Sequence, residues 1–342
     1  MKPDIDIFAL AHWLVGHGFA SSPEVKVQPL TGGQSNPTFR IRTDRINCVL
    51  RKQPPGNLLP SAHAIDREHR VMQALVGTAV PVPRMLHWCD DSSVLGTPFF
   101  LMDFLEGRVL VDQSLPGFQP DERGAIYWEM NRVISALHSI DHSIVGLSDF
   151  GRPDNYVARQ IARWTRQCEA STLALPNAMR RLIEWLPRHT PSSAAATLVH
   201  GDYRLDNLIF HSSEPRVIGV LDWELSTVGD PLADFAYHCM SWRIPAALWR
   251  GIGGLDLTAL GIPTEADYQR RYSEVTGRDA GPLREFYMAF NLFRMAAILH
   301  GIAQRAADGN ASGSDAIETG RRAGPLADIA WQCALRHQAA TT

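Results

Sequence analysis

Lysine is nearly absent from this chain of 342 residues, occurring only at positions 2, 26 and 52, so arginine carries almost all of the positive charge. We read that as a coding bias without functional content. Neither sign of charge dominates: the formal net charge is −3, which supplies no broad basic footprint, and nucleic acid is not an expected partner. Cysteine is sparse. Cys48, Cys89, Cys168, Cys239 and Cys333 are odd in number, scattered, and without CxxC spacing, which argues against a disulfide framework or a zinc site and makes a reducing cytoplasm the expected location. No apolar run approaches the ~18 residues that suggest a membrane span, so no membrane association is expected. The N-terminal apolar stretch follows Asp4 and Asp6 and is broken by His12 and His17, a poor signal peptide. There is no internal repeat and no low-complexity linker. The length exceeds the usual single core, so two lobes are the natural expectation.

What is present divides into a strand-rich first third and a helical remainder. Residues 5–19 have helical spacing, and Val25–Leu30, Thr38–Arg42 and Ile46–Lys52 read as three strands. Between the first two strands lies Thr31-Gly32-Gly33-Gln34-Ser35-Asn36-Pro37. Its small residues and paired glycines would let backbone N–H groups approach an anion without Cβ clashes; alone, such a segment is mostly just a turn. Ala62–Val76 reads as a helix, Pro81-Val82-Pro83 starts a further strand, and Thr97–Phe104 is the last strand of the first lobe. Helices follow at about 121–140 (Asp121 as cap), 156–170, 178–189, 231–241, 264–276, 282–306 and 315–337, with Thr264 and Asp267 spaced as a capping box. His138 and His142 have metal-ligand spacing, but no third ligand is apparent and the structural reading is preferred.

The richest segment is LVHGDYRLDNLIFHSSEPRVIGVLDWE, residues 198–224. Asn207–Phe210 and Val217–Leu221 read as two strands joined by a polar turn containing Pro215, a hairpin that returns Asp222 to the neighbourhood of Asn207. Two such oxygen donors suit Mg²⁺, which takes one or two protein ligands and completes its shell with water and phosphate. Asp202, in the loop before the first strand, is then left to accept a proton from an alcohol. Together these are the minimum for a metal–nucleotide phosphotransferase.

The spacing His200-Gly201-Asp202-x-x-x-x-Asn207 is that of the protein-kinase catalytic loop, with glycine where kinases have arginine. Followed by a strand and Leu221-Asp222-Trp223-Glu224, it resembles the aminoglycoside phosphotransferase and choline kinase superfamily. The run through Val228-Gly229-Asp230-Pro231-Leu232-Ala233-Asp234 most resembles the branch that includes the phosphotransferase domain of long acyl-CoA dehydrogenases and its free-standing bacterial relatives. The resemblance covers about residues 25–300. It implies an α+β, two-lobed protein-kinase-like fold: an N-terminal nucleotide-binding lobe over 1–104, with an antiparallel sheet plus helix, and a larger, mostly helical catalytic and substrate lobe over 105–342. The cleft between the lobes is the implied site. ATP and Mg²⁺ are the implied cofactors and a small-molecule hydroxyl compound the partner; oligomeric state is left open.

The resemblance also distributes roles. Gly32, Gly33 and Ser35 would lie over the nucleotide phosphates. Arg51 and Lys52 both offer the phosphate-pairing cation; adjacent strand residues face opposite sides, and relatives place arginine after the Val-Leu pair, which favours Arg51. Glu68 would pair with that cation, and backbone groups of Met102, Asp103 and Phe104 would hold adenine, with Gly107 as the swivel beyond them. Asp202 would take the acceptor proton, Arg204 would steady the γ-phosphate, and Asn207 and Asp222 would hold the metal. His200 is expected as a buried scaffold group, and Asp230 and Asp234 as acids that cap a helix and brace the loop. Glu224 is left between a supporting role at the metal and substrate contact.

The acceptor is less legible. From residue 241 onward there are 11 Arg against 10 Asp plus Glu, a balance that does not advertise a pocket for polycations. The resemblance to that branch implies a hydroxyacyl-CoA as acceptor, whose phosphates arginines would meet. The alternatives are an aminoglycoside, amino-alcohol or sugar kinase, or a non-catalytic nucleotide-binding module.

Overall fold

The first helix starts at Ile7 because Asp6 can cap it, its carboxylate accepting from the N–H groups of Phe8 and Ala9 at 3.0 Å each. The computed structural model describes residues 5–30, 36–56, 64–192, 195–309 and 316–341. The chain divides into two units, one comprising Met1–Val109, Ser143–Leu147 and Asn207–Ser226, the other Leu110–His142, Ser148–Asp206 and Thr227–Thr342.

The first unit is built on a five-stranded antiparallel sheet, in the order Lys26–Pro29, Thr38–Arg42, Asn47–Lys52, Phe99–Asp103, Met85–Cys89. Alternation along these strands sends Phe39, Ile41, Cys48, Leu50, Phe99 and Leu101 to one apolar core, against Leu10 and Leu14 of the first helix. The helix Ile65–Leu75 belongs to the same unit and buries Val71, Met72 and Glu68. A three-stranded sheet completes it: Arg108–Val109, Leu208–Phe210 and Val217–Val220. Close backbone approach explains its glycines. A Cβ on Gly107 would lie 2.3 Å from the Phe210 carbonyl oxygen, and one on Gly219 would lie 2.4 Å from Leu105 Cδ1. Gly107 is not among the glycines with positive φ, so packing, rather than a swivel, is what demands glycine there.

The second unit is helical apart from a ribbon pairing Thr197–Val199 with Thr227–Gly229. Its centre is the 24-residue helix Arg284–Ala307, long and apolar enough to cross a membrane by length and composition but largely buried, as a core helix is. Against it pack Tyr156–Glu169, Asn177–His189, Pro231–Cys239 and Ala323–Thr341, while Pro120–His138 packs against Glu265–Thr276. Two details depart from the sequence expectation. The helix expected to begin at Asp121 has its cap at Gln119, whose N–H donates to Glu122 Oε2 at 2.8 Å; Pro120, with φ already fixed and no N–H to lose, takes the first helical position. The helix expected over 315–337 is two, Ala316–Arg321 and Ala323–Thr341. Pro325 accounts for the break: its ring would clash with the carbonyl four residues back in a continuous helix, so it is accommodated only in a new first turn.

Candidate active site

In the first unit the third strand separates Arg51 from Lys52. Lys52 lies on the same side as Cys48 and Leu50, the side that the first helix covers, and its Nζ donates to the Leu95 carbonyl at 3.1 Å. Arg51 points the other way. Its Nε donates to Glu68 Oε2 at 2.8 Å, and its NH2 group to Asp222 Oδ1 at 3.4 Å. Burial pushes the Glu68 carboxyl up to about 7, against the pull of Arg51, and the neighbouring Asp222 adds to the rise. Burial also works against the Arg51 charge, but the carboxylates of Glu68 and Asp222 outweigh it and hold the guanidinium above its ordinary value.

The hairpin brings Asn207 to Asp222 as its strand pattern predicts. Leu208 pairs with Val220 across the ladder, and Leu221 N–H donates to the Asn207 carbonyl at 2.9 Å. Asn207 itself closes a 3₁₀ turn, Leu205–Asn207, rather than opening the strand. Asp222 has φ +66° and ψ +58°, a left-handed conformation uncommon for a residue with a side chain. Its carboxylate is 34% exposed while Arg51 is buried. Among the described residues no three His, Cys, Asp or Glu side chains gather as a metal site. One amide oxygen and one half-exposed carboxylate on adjoining backbone are nevertheless a donor set of the kind Mg²⁺ uses, the rest of its shell being water and phosphate.

The second unit holds Asp202 by a different device. Asp234, on the helix Pro231–Cys239, accepts from the backbone N–H groups of His200 and Gly201, at 2.8 Å each. It also pairs with His138 Nε2 at 3.1 Å, and His138 Nδ1 meets the Tyr272 hydroxyl at 2.7 Å. Burial works against the Asp234 charge, but the bonds from His138 and the His200 amide outweigh it and lower its pKa below the ordinary value. Gly201 has φ +83°, which the turn requires and which glycine adopts without strain. His200 is fully buried and its Nδ1 accepts from Asp202 N–H at 3.2 Å, a scaffold role as expected. Asp230 caps the same helix through Leu232 and Ala233 N–H and accepts from the Tyr287 hydroxyl at 2.8 Å. His138, with Nε2 on Asp234 and Nδ1 on the Tyr272 hydroxyl, is thus part of the brace behind the loop.

Asp202 itself is met on both oxygens. Arg204 Nε lies 3.2 Å from Oδ2, and the Tyr237 hydroxyl donates to Oδ1. Arg204 also reaches Asp206 at 3.3 Å, and Arg250 pairs with the same Asp206 at 2.8 Å. Tyr237 was given no role from sequence, although its signal was there: it follows Asp234 by three residues, one turn along the same helix face. Arg294, whose NH2 group donates to the Gly201 carbonyl at 2.8 Å, gave no comparable signal beyond being one arginine inside an apolar helix.

The remaining expected contacts are placed as follows. Gly32, Gly33 and Ser35 lie outside the described residues. Met102 is buried; Asp103 N–H donates to the Arg84 carbonyl at 2.9 Å and Phe104 N–H to the Asn47 carbonyl at 3.4 Å. Those two amides are therefore engaged within the sheet. Glu224 sits in the 3₁₀ turn Trp223–Leu225, two residues beyond Asp222.

The fold of the two units and the spacing of His200, Asp202 and Asn207 indicate the class: a phosphotransferase of kinase-like fold. Comparison with known proteins agrees. The pattern of the phosphotransferase enzyme family matches residues 26–286, and the chain belongs to that family, as a small-molecule kinase. It is 46% identical over 331 residues to acyl-CoA dehydrogenase family member 10 of Mus musculus, covering 96% of this chain and 31% of that protein. It is 42% identical over 333 residues to the Arabidopsis thaliana protein described as a probable acyl-CoA dehydrogenase, IBR3, covering 92% of this chain and 40% of that one. The chain thus spans only a third to two-fifths of the length of these relatives. A crystal structure from Ralstonia eutropha, described as a candidate aminoglycoside phosphotransferase, has a TM-score of 0.88 and 50% identity over 97% of this chain and 99% of that one. The ternary complex of aminoglycoside phosphotransferase APH(4)-Ia with ADP and hygromycin B has a TM-score of 0.61 at 17% identity, covering 94% of this chain and 98% of that one, a likeness of fold. Nucleotide complexes recur among such neighbours, one holding GDP.

Proposed function

We propose that this kinase transfers the γ-phosphoryl group of ATP, bound with Mg²⁺, to the hydroxyl of a hydroxyacyl-CoA. The carrying observation is the linked Glu68–Arg51–Asp222 set beside Asn207: a phosphate-seeking cation tethered on one side by Glu68 and, on the other, joined to a half-exposed carboxylate suited to a metal. On this reading residues 1–104 are the nucleotide-binding lobe and 105–342 carry the acceptor. Asn207 and Asp222 would hold the Mg²⁺, which would supply positive charge to offset that of the phosphates. The Arg51 guanidinium exchanges part of its pairing with Asp222 for phosphate oxygens. In the transfer, the acceptor oxygen bonds to the γ-phosphorus as the bond to the β-bridging oxygen breaks, ADP leaves, and the acceptor proton passes to Asp202. The transition state is loose and the proton leaves late, so positioning by Asp202 outweighs its basicity. Arg204 stabilises charge on the transferring group.

The acceptor class is supported by the acyl-CoA dehydrogenase names of the relatives and by the arginines Arg204 and Arg250 that flank Asp206, groups suited to an anionic partner rather than a polycation. The description of the Ralstonia protein keeps an aminoglycoside acceptor as the second reading. A coupled ADP-release assay separates them: turnover of MgATP is stimulated by a 4-hydroxyacyl-CoA and not by kanamycin, and the opposite pattern overturns the acceptor class. Asp202→Asn lowers transfer by about 10²–10⁴-fold while MgATP binding persists; undiminished turnover in that variant overturns the mechanism.

A further inference from the structure

We propose that Tyr237 and Arg294 form a positioning pair that aims the Asp202 carboxylate, a role that rests on the reading of Asp202 above. Tyr237 is buried, and its only hydrogen-bonding group donates to Asp202 Oδ1. Burial, reinforced by the adjacent Asp202 charge, keeps the Tyr237 hydroxyl protonated far above neutral pH, so the phenol is a permanent donor and never a competing base. One oxygen of Asp202 is fixed by this bond, and the carboxylate plane is set with it. That leaves Oδ2, which faces the partly exposed Arg204, as the oxygen an incoming hydroxyl meets.

Arg294 fixes the tyrosine in turn. Its guanidinium carbon lies 5.1 Å from the centroid of the Tyr237 ring, within cation–π range. The same guanidinium donates to the Gly201 carbonyl, one residue before Asp202. Arg294 is only 6% exposed, it makes no ion pair among the described residues, and its Nε has no hydrogen-bond partner. A buried cation left so incompletely satisfied is costly, and packing alone would be served better by an apolar side chain. Contact with both the tyrosine ring and the loop backbone gives the charge a use: it locks ring and loop to each other, so that the hydroxyl and carboxylate stay in register.

The test uses the purified full chain and MgATP alone, with water in place of the alcohol and phosphate release as the readout, because it does not depend on the acceptor. Tyr237→Phe keeps the ring and its contact with Arg294 and removes only the hydroxyl. Its kcat falls about 10-fold or more, with the KM for MgATP and the thermal midpoint unchanged. In the Asp202→Asn background the same change has no further effect, because Tyr237 acts only through that carboxylate. A Tyr237→Phe enzyme as fast as the parent, or one whose loss adds in full to that of Asp202→Asn, overturns the proposal and leaves the role of Asp202 standing. An Asp202→Asn enzyme that hydrolyses at the parental rate removes the underlying reading, and the proposal with it. Arg294→Lys retains charge and loses the planar contact; an intermediate fall in kcat at unchanged KM is expected, and none at all counts against the arginine's share.

Discussion

The two units hold their charged residues by opposite means. In the first, Arg51, Glu68 and Asp222 are tied chiefly to one another, side chain to side chain, with the weakest link at 3.4 Å to the half-exposed Asp222. In the second, Asp202 sits on a loop whose backbone is pinned by Asp234, by Arg294 and by the buried His200. Ion pairs between side chains can be exchanged for a phosphate or a metal at small geometric cost. Backbone amides tied to a buried carboxylate cannot move without leaving donors unsatisfied. On the proposed function, a nucleotide-binding half must change partners at every turnover, whereas the half that aims a proton acceptor gains from never moving. The difference in construction therefore follows the difference in task.

The sharpest way to break this comparison is to remove the aimed group itself. Asp202→Asn is isosteric and leaves the brace intact, so transfer falls by about 10²–10⁴-fold, the range of a positioned general base, while nucleotide affinity changes little. Single-turnover phosphate transfer set beside calorimetric MgATP binding reads both. A parallel loss of binding would mean that the two halves are not separable as described.

Next in size is the brace. Asp234→Ala strands the His200 and Gly201 amides and removes the partner of His138, all of them buried. The cost is about 3–5 kcal/mol, as for other buried charged networks that lose one member, and urea denaturation checks it. Asp234→Asn keeps one acceptor oxygen and puts an NH₂ donor in place of the other, so its loss is smaller. A destabilisation under 1 kcal/mol for the alanine variant would show the loop to be held by something else.

Much of this was legible in the sequence, for reasons that are local. The hairpin could be read because two apolar runs flank a polar turn with proline, and ladder pairing then dictates that Asn207 and Asp222 adjoin. Asp230 and Asp234 could be read because a Gly-Asp-Pro start followed one turn later by an acid is a helix N-terminus with an inward-facing carboxylate. The choice between Arg51 and Lys52 could be narrowed only to opposite faces; which face is covered depends on the first helix packing over Cys48 and Leu50, a tertiary fact. Tyr237 was half legible, from its helical spacing to Asp234. Arg294 was not legible, since its contacts with Gly201 and Tyr237 span 93 and 57 residues and nothing in an apolar helix announces them. The misplaced cap at Asp121 and the unforeseen break before Pro325 share one cause: proline sets where a helix can begin, and the apolar periodicity ran past it.

A pair of substitutions on the third strand sharpens the parity argument. Arg51→Met lowers MgATP affinity by about 10- to 100-fold, the value of one charge-assisted hydrogen bond at about 1.5–3 kcal/mol. Lys52→Met leaves affinity unchanged and acts on stability alone, because its Nζ meets the Leu95 carbonyl on the other face. Isothermal titration with a non-hydrolysable ATP analogue and Mg²⁺ distinguishes the two. Equal losses would show that the strand does not sort the two cations as drawn.

The smallest expected effect, and the most specific to the first unit, is the titration of Glu68. Its folded-state pKa is raised to about 7 from the usual 4.5, burial being the main cause. The protonated form is therefore the one that folding favours. The stabilising contribution is fully present below pH ~4.5 and is lost as pH rises through about 7, above which it is gone. A shift of that size corresponds to an upper bound on the order of 3 kcal/mol. Glu68→Gln cannot ionise and lacks this dependence. The stability of the parent relative to the glutamine variant should thus decline between pH 5 and pH 8 in denaturant titrations. The same ionisation that weakens the fold supplies the anion that tethers Arg51, so nucleotide affinity should improve in the parent over this interval and stay flat in the variant. A flat difference in stability would mean that Glu68 is ionised throughout, with Arg51 fully offsetting its burial. The ion pairs of the first unit would then be as fixed as the brace of the second, and the contrast between an exchanging half and a rigid half would lose its energetic basis.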